Sequence, residues 1–315
     1  MAATSWIHTI LVSLMLVSLT EATESAYAPS EPAVEAALLS PDLSLQAYAW
    51  LTLPPEGLTD ERIRIWHRAW LAQHPDPQAK ALLARHACAW TGIWQRLCTE
   101  MDLWQDWIAH EPGNAQPWML LAWQAQQNDD TVALQAALDR VARSDHIDTG
   151  TRQDLLLARR LASTVMGGDA PAGELAVHAF GVWLAMVQPM QTYTAVCPTG
   201  RGQAVRPDRA DLCRQVSGWM IERREGSMVV AQIGYLIAMA YAESDESRRQ
   251  LAQERAQLRA LQDAFVADER LRVESDDIFP DCADDYLQLI VEHGERQAMI
   301  DWLASAPPRQ AETTP

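Results

Sequence analysis

Three features of this 315-residue chain predict an all-α fold of stacked antiparallel helix pairs. Apolar positions recur at helical spacing along most of its length. Several of these stretches open on a residue suited to capping a helix. A Leu-Leu-Ala tripeptide returns at Leu82, Leu120 and Leu156, at intervals of 38 and 36 residues. That interval is the length of one helix pair, and a single pair cannot hide its own apolar face, so neighbouring pairs must stack. No stretch alternates apolar and polar residues as a half-buried strand does.

The elements follow in order. "DERIRIWHRAWLAQH" is expected to be helical, with Thr59 as its cap and Ile63, Trp66, His67 and Trp70 on one side. Residues 70–84, 107–122 and 141–158 each run from the end of one helix, through a polar turn, into the next. In the second of these, Asn114 stands as the N-cap and Pro117 lies in the first turn, where its missing N–H costs nothing. Trp118, Leu121, Ala122 and Ala125 then share a face. After the break "QQNDD", Leu134, Ala137, Leu138 and Val141 form the matching stripe. "VMGGDAPAG" at 165–173 reads as a joint between two lobes, 30–165 and 172–306. Beyond it lie two strongly apolar stretches. The second, "SMVVAQIGYLIAMAYA", is 16 residues long and contains Gln232, so it reads as a buried core helix and not a membrane span. Residues 246–272 form a long amphipathic helix with Leu251, Leu258 and Phe265 seven apart, a surface on which the chain could self-associate.

"EPGNAQPWMLLAWQAQQNDDTVALQAAL" resembles a tetratricopeptide repeat. Pro112 and Asn114 stand at the junction, Trp118 at the early aromatic position, and Leu121 and Ala122 as the following pair. Ala125 replaces the usual large aromatic, and Leu134 stands where the family has a small residue. One fair and two weaker repeats cover residues 78–163. The resemblance implies an α-solenoid, and the stretches beyond the joint read as a C-terminal helical lobe. It also implies a concave groove lined by the first helix of each pair, on which Gln116, Met119, Trp123, Gln126 and Gln127 would fall. The repeat intervals set Arg85 and Arg159 level with Trp123, and Arg152 level with Gln116. An Arg-Trp-Arg row would suit an extended peptide bearing carboxylates. The plainer alternative is that both arginines are solvated charges and Trp123 belongs to the core.

A formal charge of −17 argues against a nucleic-acid partner, since no basic run opposes phosphates. Of the 25 cationic residues only Lys80 is a lysine, a bias of high-GC bacterial genomes. The N-terminus has an apolar run from Ile10 to Leu19, too short to span a bilayer comfortably, followed by small residues. It reads as a signal peptide over residues 1–22, cut after Ala22 or alternatively after Ala28, with an uncleaved anchor as the other reading. Export to the periplasm or beyond makes Cys88 with Cys98 and Cys197 with Cys213 the economical local disulfides, leaving Cys282 over. A zinc site from His86, Cys88, Cys98 and His110 matches no standard spacing.

No nucleophile-elbow, zinc-protease or phosphate-loop motif occurs, and no cofactor is expected. Glu174 and His178, four apart, and the loop "PTGRGQ" are what an enzyme site between the lobes would use. The acidic residues Asp276, Asp277, Asp281, Asp284 and Asp285 lack the spacing and glycine of a calcium loop. The expected function is therefore a non-enzymatic envelope scaffold that binds a protein or peptide. An envelope hydrolase and a self-assembling subunit are the alternatives.

Overall fold

The structure is a computed structural model. It describes residues 36–52, 59–89, 93–167, 170, 175–176, 179, 191–200, 204–222, 227–268 and 282–305. These residues are all-α, and the single β-type pairing among them is an isolated parallel bridge between Asn114 and His146. The N-terminal 35 residues, with the expected signal, lie outside the described part, as do Glu174, His178, Asp276, Asp277, Asp281 and most of the first apolar stretch after the joint.

Capping sets where the first helices start. In α1 (Leu43–Leu51) the Asp42 carboxylate accepts from the Ser44 and Leu45 amides, and in α2 (Asp60–Leu71) Thr59 accepts from Arg62 as expected. Each such bond satisfies an amide that the helix itself cannot, and stabilises by about 0.5–2 kcal/mol. Trp66 of α2 lies 4.8 Å from Trp50 and 5.7 Å from Trp70, and the Trp70 indole donates to the Leu43 carbonyl at 3.0 Å. The tryptophans of this half therefore bind α2 to α1.

Helix α3 (Pro77–Ala89) is buried over most of its length. Its alanines let α1 close on one side and α5 (Leu103–His110) on the other. The Cys88–Cys98 disulfide ties α3 to α4 (Ile93–Glu100). Then come α6 (Gln116–Gln127) and α7 (Thr131–Val141), packed as the antiparallel pair that the Trp118 and Leu138 stripes require. Asp130 caps α7 by accepting from Ala133.

Helix α8 (Thr151–Met166) keeps the repeat only in part. Ala84, Ala122 and Ala158 are each fully buried, so the small residue of the tripeptide does the same work three times. Leu82 and Leu120 are also in the core, whereas Leu156 is 43 % exposed and Leu155 takes the inward place. The helix that lies along α8 is α13 (Cys282–His293), from far downstream. Arg159 meets Asp284 and Arg152 meets the Val291 carbonyl, which sets the two helices antiparallel.

The remaining helices are α9 (Gln191–Val196), α10 (Ala210–Glu222, entered by a 3₁₀ turn at Pro207–Arg209), α11 (Met228–Ala240), α12 (Asp245–Val266) and α14 (Glu295–Ala304). The Cys197–Cys213 disulfide joins the end of α9 to α10. Gly234 permits close contact between α10 and α11, since a Cβ there would lie 2.8 Å from the Met220 Cβ. Packing contacts run in a closed circuit: α1 to α3, α5, α6, α9, α11, α12, α14, α13, α8 and back to α1. One core draws on both sides of the expected joint, a second lies among α6, α7, α9, α10 and α11, and α6 and α11 contribute to both. The Leu251, Leu258 and Phe265 stripe of α12 turns inward. Leu258 is 3 % exposed and the Phe265 ring is 4.5 Å from Tyr286, so this stripe packs within the chain.

Candidate functional site

The densest polar chemistry among the described residues lies where the turn before α6 meets the turn before α8. Asn114 is fully buried, so every polar atom of its side chain needs a partner. Its Nδ2 donates to Glu111 at 2.6 Å and to the Asp148 carbonyl at 2.9 Å. Its Oδ1 accepts from the Gln116 amide at 3.0 Å and the Asp148 amide at 2.9 Å. Backbone bonds from Ala115 to His146 and from Asp145 to Gly113 close the junction. Asn114 was expected to be the N-cap of α6, but Ala115 holds that place, and Asn114 stands one residue earlier with its side chain turned to the junction. It clamps two turns 34 residues apart.

Beneath this clamp, Asp154 at the start of α8 accepts from Arg85 Nη2 at 2.7 Å and meets His86 Nε2 at 3.0 Å. The three side chains are 6, 3 and 0 % exposed. Burial alone would push the Asp154 carboxyl up, but Arg85 and His86 outweigh it and hold the group below the usual carboxylate range. Burial likewise works against the charge on Arg85, and Asp154, Glu111 and Asp148 overcome it. Tyr48 packs edge-on against His86, their ring centres 5.9 Å apart; burial and then Asp154 raise its phenol well above the ordinary value. Gly150 makes room for the cluster: its φ is +71°, and a Cβ there would fall 1.8 Å from Arg85 Nη1. The cluster has acid, base and cation, but the burial of all three leaves a substrate no approach. It joins α3 to α8.

Arg85 therefore lies inside the protein and not on an open groove. Gln116 and Met119 are buried too, with Met119 packed in the second core beside Tyr193 and Val196 of α9. Arg152 and Arg159 are engaged by α13. The chain's own elements thus occupy much of the face that the repeat pattern offered to a ligand: the start of α8 against α3, α9 against α6, and α13 against α8. Of the expected row, Trp123 and Gln126 are half-buried and Gln127 is exposed at the end of α6. The expected Arg-Trp-Arg surface is not assembled. Its two arginines find carboxylates within the chain, Asp154 and Asp284, and sequence spacing carried no sign of those partners.

Cys88 and Cys98 are spent on a disulfide, and no group of three or more metal-ligating side chains gathers among the described residues. The acidic residue Asp284 serves Arg159. Half-exposed apolar side chains form a longer feature on α11. Val229, Ile233, Leu236 and Ala240 lie on one line, at i, i+4, i+7 and i+11, on a helix without a charged residue. Val229 is 45 % exposed, whereas Ile233 and Ala240 are partly buried and also pack on the second core. Comparison of the chain with protein-family models, curated proteins and solved structures found no match.

Proposed function

We propose that the protein is an exported scaffold that binds a protein or peptide partner in the bacterial cell envelope. The observation that carries this reading is the outward line of α11. A helix apolar all round is normally enclosed, and one left half-open offers a contact face. The tetratricopeptide-like reading of residues 78–163 belongs to the proposal, with the filled groove replaced by α11 as the binding face. Two buried disulfides fit an oxidising compartment, and no described helix is long and apolar enough to cross a membrane. The signal-like N-terminus supports the same location.

Crosslinking of tagged protein in its native envelope, followed by mass spectrometry, tests the reading. Val229→Glu places a charge on the line at an exposed position and should abolish a crosslinked partner while leaving the thermal melt unchanged. A partner captured equally by both forms would remove α11 from the reading.

A further inference from the structure

Helix α2 is fastened by one aromatic face, and that face contains a histidine. His67 is 7 % exposed and has no hydrogen bond or ion pair among the described residues. Its ring centre lies 6.4 Å from that of Trp66 and 6.0 Å from that of Trp70, on which it stacks. The same two tryptophans hold α2 to α1, through the Trp50 ring and the Leu43 carbonyl. Toward α4 the ties are ion pairs, Asp60 with Arg96 and Arg64 with Glu100. All four of these side chains are open to water, where such pairs contribute little. The seating of α2 therefore depends on the face that holds His67.

A proton on this ring would place a charge where water reaches poorly. Burial is the largest influence on His67 and lowers its pKa; Asp106 of α5 acts against burial, and Lys80 of α3 acts with it. Helix α1 carries no charged residue. On α2 itself, Arg64 is one turn away and engaged by Glu100, while Arg68 lies toward Glu61 on the exposed side. We propose that His67 makes α2 an acid-released flap. With a neutral imidazole the helix stays seated. A protonated one must reach water, and α2 lifts from α1, uncovering Trp50, Trp66 and Trp70. Tryptophan is enriched where proteins bind one another, so acid opens a face suited to a protein contact. The unfolded imidazole takes up its proton at about 6.5 and the seated one below that, so the seating weakens as pH falls through 6.5. Each pH unit is worth tenfold, which limits the effect to about thirtyfold at pH 5.

Hydrogen exchange followed by mass spectrometry reads the opening of α2 in the purified protein near pH 7.5 and pH 5, with rates corrected for intrinsic exchange and α6 as the internal reference. Protection of α2 relative to α6 should fall by at least about threefold in acid, and tryptophan emission should shift to the red. His67→Phe, which keeps a ring, and His67→Gln, which keeps a polar group, should both abolish the fall. Unchanged protection of α2 in the native protein, or an equal fall in the two variants, overturns the proposal. Should both substitutions unseat α2 at neutral pH, a nuclear magnetic resonance titration of the native imidazoles decides: His67 should titrate below its ordinary 6.5, and titration at or above that value overturns the flap. The outcome does not depend on whether α11 binds a partner.

Discussion

Replacing Gly150 with alanine tests the buried junction at its tightest point. The residue has φ +71°, in the left-handed region, where a side chain costs about 1–2 kcal/mol. The new Cβ would also lie 1.8 Å from one guanidinium nitrogen of Arg85 and 2.0 Å from its central carbon. No small shift relieves this overlap, so Arg85 must leave Asp154. Separating a buried ion pair while both charges remain costs about 3–5 kcal/mol. Together the two effects give about 4–7 kcal/mol, against a total stability of roughly 5–15 kcal/mol for a folded domain. Urea unfolding followed by tryptophan fluorescence and far-ultraviolet circular dichroism measures the loss. Gly218→Ala is the control: it lies within α10 with nothing near its Cβ, and should stabilise by up to about 1 kcal/mol. A second background, Arg85→Met with Asp154→Leu, separates the effects, because Gly150→Ala should then cost about 1–2 kcal/mol, the backbone part alone. A loss under about 1 kcal/mol in the native background would refute the account of the junction.

Asp154→Asn should cost about 3–5 kcal/mol near neutral pH. Because the folded-state pKa of Asp154 is depressed, its contribution is full above the ordinary carboxylate value and fades as pH falls through the folded value; denaturation of wild type and variant should converge in acid. A wild-type curve parallel to that of Asp154→Asn down to pH 2 would contradict this. Glu295 has the opposite sign. It accepts from the Met228 amide at 2.7 Å, and burial raises its carboxyl above the ordinary value, so stability is greatest below that value and declines as pH rises. Glu295→Gln keeps an acceptor for Met228 and should remove this decline in melts from pH 4 to 8; an unchanged slope would count against it. Replacing Cys88 and Cys98 by serine should cost about 3 kcal/mol by loosening the unfolded chain, read as a lower urea midpoint with the helical circular dichroism retained.

Local rules made much of the fold legible. Thr59 caps α2, the two cysteine pairs close nearby loops, and the stripes of α6 and α7 face one another. Each of these depends on residues within about one helix pair of one another. The course of α8 was not legible in the same way. Its tripeptide repeats the spelling of α3 and α6, but the helix is turned so that Leu155 packs and Leu156 does not. The cause is Asp154, whose partners Arg85 and His86 stand 69 and 68 residues earlier. Asp154 resembles any acidic residue in a first helical turn. The position of α13 was hidden for the same reason: Arg152 and Val291 are 139 residues apart, and neither resembles half of a contact. Two arginines of the expected groove row, Arg85 and Arg159, meet carboxylates 69 and 125 residues further along the chain.

The buried ion pair is better understood as a choice of register than as a source of stability. Tyr48 Oη, Arg85 Nε and His86 Nδ1 find no hydrogen-bond partner among the described residues, and each buried group left in that state costs about 1–3 kcal/mol. Apolar residues of similar volume often replace such a pair with no loss of stability. They would not, however, distinguish the two ways of seating α8. "DLLLARRLA" has leucines at 155, 156 and 157, so turning the helix by one residue still presents an apolar face to the core. The turned helix would lift Asp154 away from Arg85 and strand both charges, and that penalty selects the observed seating. The same seating sends Arg152 and Arg159 toward α13 and Arg160 toward Asp42. The junction therefore fixes where the C-terminal helices close the circuit, and through α14 and α12 it fixes which face of α11 remains open.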